Sequence, residues 1–250
     1  EPSGQLELAG DERLQEYPPG PMDGYETLIP GHGVFKASDS SRYTVNNQGW
    51  LAFNKLIPTG TTGWASGFGV DDTVDTYDGD TFGLRTDGAL PTGLDKFEGI
   101  SGSWVGLEMP YDVKVTKIYW YPRFNNDGVN RRRETIQNGI IWGSKDGTNW
   151  VQLRNLSGVT YQEYALGGTY SNTDPFVFDI DNNNYYNRYV IQITKLGENT
   201  SGVDATFVTV QEIKFFGTPG PTTLDKGSLS LTRSLDVPRI SRYDVDTETP

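Results

Sequence analysis

Apolar and polar residues alternate along much of the chain, a pattern typical of short β-strands. The clearest case is residues 139–153, where Ile140 and Trp142 lie two positions apart and therefore point to one face of a strand. The polar segment that follows predicts a turn, because Gly147 can adopt a positive φ. Trp150 then begins a second strand. We predict a β-hairpin in the middle of an antiparallel domain, with both indoles reaching a common core.

Further strands surround this hairpin and end at segments rich in Pro, Gly and Asn. They are predicted at residues 34–38, 104–109, 113–120, 176–180, 189–193 and 207–216. Helical patterns are few, and a short helix over residues 6–15 is the alternative to a frayed N-terminal arm. The pattern as a whole predicts an all-β fold. In that fold we expect four tryptophans to be largely buried, namely Trp104, Trp120, Trp142 and Trp150.

Two of these strands change phase along their length. In the first, Val113 and Val115 share one face. Ile118 and Trp120 share the other face, so we predict a bulge or bend near Lys117.

The last strand changes phase at Gln211 and Glu212, since the apolar residues before and after that point have opposite parity. An irregular backbone there would let the carboxylate and the carbonyl of Glu212 point together. This arrangement suggests a structural ion.

Clusters of Pro and Gly bound the strand-rich region at both ends. We predict one β-sandwich over residues 25–217, with an N-terminal arm at residues 1–24. Residues 218–250 carry few aromatic residues and are interpreted as a linker or as the start of a following region. Both tails are expected to pack outside the sandwich, and more protein is expected after residue 250.

The composition narrows the possible functions. The 250 residues contain no Cys and a single histidine, His32, which excludes disulfides, thiolate metal sites and multi-histidine metal sites. The net charge of −12 would repel a nucleic-acid backbone, and we interpret the three arginines at 131–133 as a solvated loop. No apolar run approaches the length of a membrane span. We therefore expect neither a nucleic-acid partner nor insertion into a membrane.

Residues 65–102 form a long insertion that contains seven aspartates separated by glycines. An Asp-rich loop suggests calcium, but the spacing over residues 71–80 does not fit the EF-hand pattern and lacks its closing Glu. A loop this long in a compact domain is more often functional than idle. Its role is left open.

Seven short motifs follow one another in this chain. They are residues 37–41, 52–54 with 62–64, 102–107, 121–123, 143–150, 188–191 and 212–217. In this order they resemble the discoidin, or coagulation-factor type C, family and its relatives among the carbohydrate-binding modules. The resemblance covers roughly residues 30–217 and implies a jelly-roll β-sandwich with binding loops at one end. It also implies a non-catalytic module that recognises glycans.

The same resemblance implies one structural Ca²⁺. In the family its ligands are an Asp early in the fold, a Thr before a Trp, and a Glu in the last strand. The corresponding positions here are Asn54, Thr62 and Glu212. Asn54 replaces the early carboxylate, and the loss of one carboxylate weakens a site for a hard cation.

The resemblance also implies a galactose-type sugar site. In sugar-binding relatives an Arg that follows a Pro at a strand end contacts the ligand, and an aromatic residue five positions before the late Glu stacks on it. Arg123 and Phe207 occupy these positions. A guanidinium suits this task, because its planar fork can bridge two vicinal hydroxyls. The alternatives are a salt-bridged loop residue for Arg123 and a core side chain at a strand end for Phe207.

Four further residues are candidates for the same site. Asn126 and Asn130 lie shortly after the arginine, where the resemblance implies an asparagine that helps to bind the sugar. Tyr77 and Tyr170 belong to long loops and could add another wall.

Three functions compete on these grounds. The first is a glycan-binding or adhesion module of a larger surface or virion protein. The second is an assembly module that packs against other virion, capsid or fibre subunits and binds no sugar. The third is an enzyme, which we reject because no pair of carboxylates stands out and no Gly-x-Ser-x-Gly motif occurs.

The flanking segments at residues 16–19 and 235–243 resemble large virion proteins of algal viruses and tailed phages. A bacterial surface protein or a secreted glycoside hydrolase could carry the same module. We therefore expect a location outside the cell or on a virion surface.

Overall fold

The structure of this protein is a computed structural model. It describes residues 7–8, 14–57, 63–67, 70–71, 76–77, 96–123, 134–159, 175–197 and 207–223. In these ranges the chain forms β1 (Glu7–Leu8), β2 (Gln15–Tyr17), β3 (Glu26–Ile29), β4 (Gly33–Asp39), a 3₁₀ helix (Gly49–Phe53), β5 (Trp64–Ala65), β6 (Val70–Asp71), β7 (Thr76–Tyr77), β8 (Lys96–Phe97), β9 (Ile100–Ser101), β10 (Ser103–Tyr121), β11 (Ile136–Ser144), β12 (Val151–Leu156), β13 (Phe176–Asp179), β14 (Tyr186–Leu196), β15 (Thr209–Val210), β16 (Glu212–Pro219) and β17 (Thr222–Thr223). Within the described ranges no helix is long and apolar enough to span a membrane.

Strand β10 connects the two layers of the fold. Residues 103–108 pair with β14 on one side, and residues 105–108 pair with β4 on the other. Residues 113–121 pair with β16, and the last part of the strand also pairs with β13. The register with β14 shifts between these two parts, so the strand leaves one sheet and enters the other.

The pairings define two antiparallel sheets that share β10. The first sheet has the order β12-β11-β14-β10-β4-β3 and the second has the order β13-β10-β16-β2. Their inward side chains form one continuous core, in which the ring of Tyr189 from the first sheet lies 5.7 Å from the ring of Phe215 in the second. The predicted all-β sandwich is confirmed.

Both predicted phase changes coincide with irregular backbone. The register between β10 and β16 shifts between Val115 and Lys117, where we predicted a bulge. The last predicted strand is divided at Gln211 into β15 and β16. Strand β15 pairs with β5, whereas β16 pairs with β10, so the division moves the chain from one partner to another. Each phase change in the sequence thus marks a point where the other set of alternate residues begins to face the core.

The predicted hairpin is formed by β11 and β12. Gly147 lies in its turn with φ 77°. The carboxylate of Asp146 accepts hydrogen bonds from the backbone N–H groups of Asn149 and Thr148, which lowers the pKa of Asp146. The turn is therefore fixed by its own side chains, as expected for an aspartate at this position.

The expected burial of four tryptophans is only half right. Trp120 is fully buried and Trp142 is 7% exposed. Trp104 and Trp150 are only half-buried, because they lie on the outer face of the first sheet and not in the main core. There they pack with Trp142 around Phe97 in a second, smaller cluster. The two indoles of the hairpin thus meet outside the main core.

The N-terminal segment is extended and not helical where the structure describes it. Strand β1 pairs with β17, so the alternative of a helix over residues 6–15 is wrong. Strand β2 pairs with β16 and inserts the fully buried ring of Tyr17 into the core. Without β2, the edge of β16 would leave its backbone N–H and C=O groups without partners. Strand β2 supplies these partners. The sheet therefore begins before residue 25, where we expected the sandwich to start.

Candidate functional site

A buried carboxylate lies at the start of β16. Glu212 is 0% exposed, because the break at Gln211 turns its side chain towards the interior. Its Oε2 accepts a hydrogen bond from the backbone N–H of Lys55 at 2.9 Å. Its Oε1 is buried and has no hydrogen-bond partner among the described residues. Burial raises the pKa of Glu212 to about 8, although the cations of Lys55 and Lys214 oppose this shift.

Asn54 lies beside this carboxylate. Asn54 is the C-cap of the 3₁₀ helix, and Lys55 then adopts φ 63°, which presents its N–H to Glu212. The Oδ1 of Asn54 accepts a hydrogen bond from the backbone N–H of Leu56 at 2.9 Å. The structure thus brings together two of the three residues expected to bind calcium. The third, Thr62, lies outside the described residues.

The donor set fits a hard cation in part. The unpartnered carboxylate oxygen of Glu212 is the kind of ligand that Ca²⁺ prefers, and the amide oxygen of Asn54 has a second lone pair. Two ammonium groups nearby, those of Lys55 and Lys214, both contact Glu16. Among the described residues no group of three or more His, Cys, Asp or Glu is gathered in one place. A calcium site here would therefore need further oxygen ligands, from the backbone or from hydroxyls.

Arg123 lies just after the end of β10, next to the buried Pro122. Its Nη1 is 3.6 Å from Oε2 of Glu134. Its Nε is buried and has no hydrogen-bond partner in the described part of the chain. The sequence offered a salt-bridged loop residue as the alternative for Arg123, and Glu134 supplies that partner. One donor of the guanidinium is therefore not used by any of the described residues.

Glu134 joins Arg123 to the strand that follows Phe207. Its backbone carbonyl accepts a hydrogen bond from the N–H of Thr209 at 2.6 Å, and its carboxylate accepts one from the hydroxyl of the same residue at 3.1 Å. Thr209 comes two positions after Phe207. Arg123 and Phe207 are therefore at the same end of the molecule, linked through one glutamate.

The ring of Phe207 is half-buried and stacks on Tyr43, with ring centroids 4.9 Å apart and planes inclined by 25°. Tyr43 is fixed in turn by its backbone N–H, which donates to the carbonyl of Ala65 at 2.8 Å. Phe207 lies outside the main core, so it is not the buried strand-end side chain that was the alternative for it.

Sequence reasoning did not find Tyr43 or Glu134. Tyr43 lies far along the chain from Phe207, and Glu134 lies far from Thr209. No motif marks either of them. Only the pairing of distant strands brings them to the site.

The side chains of the other expected site residues lie outside the described part of the chain. Asn126, Asn130 and Tyr170 lie outside the described residues. The backbone of Tyr77 belongs to β7, which pairs with β6 and with β14, but its side chain is outside what the structure describes.

No protein-family model and no curated protein sequence matches this chain. Several solved structures of family 32 carbohydrate-binding modules are similar to it. One is CBM32-3 of a family 31 glycoside hydrolase from Clostridium perfringens, at 13% identity and a TM-score of 0.47, covering 77% of this chain and 95% of the module. Another is the module of C. perfringens NanJ in complex with galactose, at 13% identity and a TM-score of 0.43, covering 73% of this chain and 93% of the module.

A third is the module of Streptococcus pneumoniae EndoD, at 8% identity and a TM-score of 0.43, covering 75% of this chain and 97% of the module. At these identities the likeness concerns the fold, and a function has to be argued from the residues of this chain. The virion context suggested by the flanking segments stays a prediction.

Proposed function

We propose that this chain is a non-catalytic carbohydrate-binding module that attaches a larger protein to glycans outside the cell or on a virion surface. The observation that carries the proposal is the guanidinium of Arg123. Glu134 holds it at the end of β10, and its Nε has no partner among the described residues. The Phe207–Tyr43 pair lies just before β15, the strand that Glu134 contacts through Thr209. A buried donor without a partner is costly, so a ligand hydroxyl would be a favourable acceptor.

The roles of the groups follow from their chemistry. The fork of Arg123 donates to two vicinal hydroxyls of a sugar, and the carboxylate of Glu134 can accept from a third. The Phe207 ring, held by Tyr43, offers an apolar surface to the C–H face of the sugar ring. Because Arg123 is already paired with Glu134, a neutral sugar suits the site better than an anionic one.

The test is a glycan array followed by calorimetric titration of parent and variants. Galactose and GalNAc-β-1,3-galactose are suitable first probes, because two of the structural neighbours are complexes with these sugars. We expect Arg123→Ala and Phe207→Ala each to weaken binding at least about tenfold, which corresponds to roughly 1.4 kcal/mol. Arg123→Lys should also lose most of the binding, because an ammonium lacks the planar fork.

Lys117→Ala serves as the control. It removes a cation of the same long strand whose ion pair in the described part of the chain is with Asp179 at the surface. Its binding should equal that of the parent. Melting curves must show that every variant is folded. If both alanine variants bind as the parent does, the proposal that Arg123 and Phe207 form the sugar site is wrong.

An assembly module is the second candidate. It is favoured by an exposed apolar pair on β3, which pairs only with β4 among the described strands. Leu28 is 70% exposed and lies opposite Val34, which is 39% exposed. A neighbouring subunit could cover this pair. An array without any bound glycan, together with self-association in sedimentation, would favour this function over the first.

We also propose that Glu212 and Asn54, with Thr62, hold one structural Ca²⁺. The support is the buried Oε1 of Glu212, which has no hydrogen-bond partner among the residues that the structure describes. When bound, the ion would neutralise this carboxylate and tie the end of the 3₁₀ helix to β16. Asn54 and Glu212 would contribute one amide and one carboxylate oxygen ligand.

A further inference from the structure

A cleft of about 300 Å³ opens on the outer face of the first sheet. Its floor consists of β10 and β14, whose register sets Trp104 opposite Gln192 and Glu108 opposite Arg188. Side chains of this parity point away from the main core, because the residues between them on each strand are buried in it. The cleft lies along residues 103–108, whereas the proposed sugar site follows the other end of β10. The two places are separate.

One wall of the cleft is aromatic. The ring of Phe97 lies 5.3 Å from that of Trp104 and 4.8 Å from that of Trp150. The hairpin that carries Phe97 is anchored on the sheet, since Nε2 of Gln192 donates to the carbonyl of Ile100 at 2.7 Å. Trp104 and Trp150 both line the cleft and are half-buried, so part of each indole is open to a ligand.

The opposite wall is polar and rigid. Nε and Nη2 of Arg188 donate to the two carboxylate oxygens of Glu108 at 3.2 and 3.1 Å. Nη1 of Arg188 donates to the carbonyl of Lys145 at 2.6 Å, which fixes the guanidinium from a second side. The side chains of Arg188 and Glu108 remain 26% and 36% exposed, so both can be reached from solvent. A bidentate pair of this kind is well oriented before any ligand arrives.

We propose that this cleft is a second binding site and that its ligand is a neutral mono- or disaccharide. Indoles of half-exposed tryptophans stack on the apolar face of a sugar ring, as aromatic residues do in small-molecule sites. The free lone pairs of Glu108 accept from sugar hydroxyls. The remaining donor capacity of Arg188 reaches their oxygens. The site does not depend on Arg123 or Phe207.

Charge and size select this class of ligand. Arg188 is neutralised by Glu108, so an anionic sugar would gain no net attraction there, and the chain as a whole carries a charge of −12. The volume lies at the lower end of the roughly 300–1,000 Å³ of small-molecule sites, which suits one or two rings better than a long chain. A purely apolar ligand would leave the polar wall without hydrogen bonds, at a cost.

The test begins with a variant in which the sugar site proposed at Arg123 and Phe207 is inactivated. A glycan array is screened with the Arg123→Ala/Phe207→Ala double variant, and each retained glycan is titrated by tryptophan fluorescence. We expect retained binding with a change in tryptophan emission, because two indoles line the cleft. Adding Trp150→Ala should weaken this binding at least about tenfold, as loss of an aromatic anchor does. Adding Glu108→Gln should weaken it as well, because an amide cannot reproduce both bonds to Arg188.

Val151→Ala is the matched control, since Val151 is 46% exposed, follows Trp150 directly and does not line the cleft. It should leave binding unchanged. Absence of any bound glycan with the double variant would overturn the second site, and so would unchanged affinity in a folded Trp150→Ala protein. If the double variant binds exactly as the parent does and Trp150→Ala abolishes binding, the cleft is the sugar site and the proposal for Arg123 fails. The two proposals can therefore fail independently.

Discussion

At the scale of single residues, two side chains of the candidate sites stand out, because each has a buried polar atom that lacks a hydrogen-bond partner among the described residues. Glu212 is the clearest, because a fully buried carboxyl with an oxygen that has no described partner must either keep a proton or meet a cation. Arg123 has a related feature, a buried Nε without a partner in the described chain. Residues with a buried polar atom that lacks a partner are the best candidates for binding sites.

The raised pKa of Glu212 predicts how stability depends on pH without metal. Because the folded-state pKa is about 8 and the ordinary value is 4.5, the folded state holds the proton more tightly than the unfolded state. The protonated carboxyl of Glu212 therefore stabilises the folded state. This contribution is fully present below the ordinary pKa and is lost as the pH rises through the folded-state pKa. With chelator present, the free energy of unfolding of the parent should fall over this window. Denaturant titrations at several pH values should show a weaker dependence for Glu212→Gln, whereas parallel curves would contradict the assignment.

At the scale of elements, the sheet depends on close approach between strands. Gly139 lies in β11 at a shift of its register with β14, and a Cβ there would lie 2.3 Å from the carbonyl oxygen of Gln192. This contact is with backbone, which cannot turn aside as a long side chain could. The central pairing of the first sheet therefore requires glycine at this position.

Gly139→Ala should consequently reduce the free energy of unfolding by about 1–3 kcal/mol, the usual cost of overpacking. Gly24→Ala is the matched control, since the nearest atom to its added Cβ is 3.9 Å away. That variant should melt within a degree or two of the parent. Equal melting temperatures for both variants would contradict the prediction and would mean that the backbone at Gln192 can shift to admit the added Cβ. Thermal unfolding followed by circular dichroism measures both.

At the scale of the whole molecule, one core joins two sheets, and the proposed ion would lie where the 3₁₀ helix meets the last long strand. Glu212 contacts the end of that helix through Lys55. The helix contributes Phe53 to the core, where its ring stacks on Phe215 at 6.2 Å. An ion bound here would therefore act on global stability more than on a single loop.

Calcium should accordingly raise the melting temperature of the whole domain, because a ligand that binds only the folded state stabilises it by mass action. Treatment with chelator should lower the melting temperature, and added Ca²⁺ should restore it. Glu212→Gln and Asn54→Ala should reduce the response to the ion. If chelator changes nothing and elemental analysis finds no calcium, the site is not a calcium site.

The sequence predicted the fold class and many of its local details. Alternation with a period of two identified the strands, and the two phase changes located the bulge before Lys117 and the break at Gln211. Gly147 located the hairpin turn. These features depend on local backbone geometry, which is why neighbouring residues are enough to reveal them. Arg123 and Phe207 were found by resemblance alone, and whether they bind a sugar stays a prediction.

Alternation by itself determined that this chain forms an antiparallel β domain, and where its strands bend and end. Only the tertiary structure decided which strands pair, because pairing depends on contacts between distant segments. It placed Tyr17 in the core through β2, added Tyr43 and Glu134 to the candidate site, and put Trp150 on an outer face. A period of two separates the faces of a strand but does not say what covers each of them. That depends on which other segments fold against it.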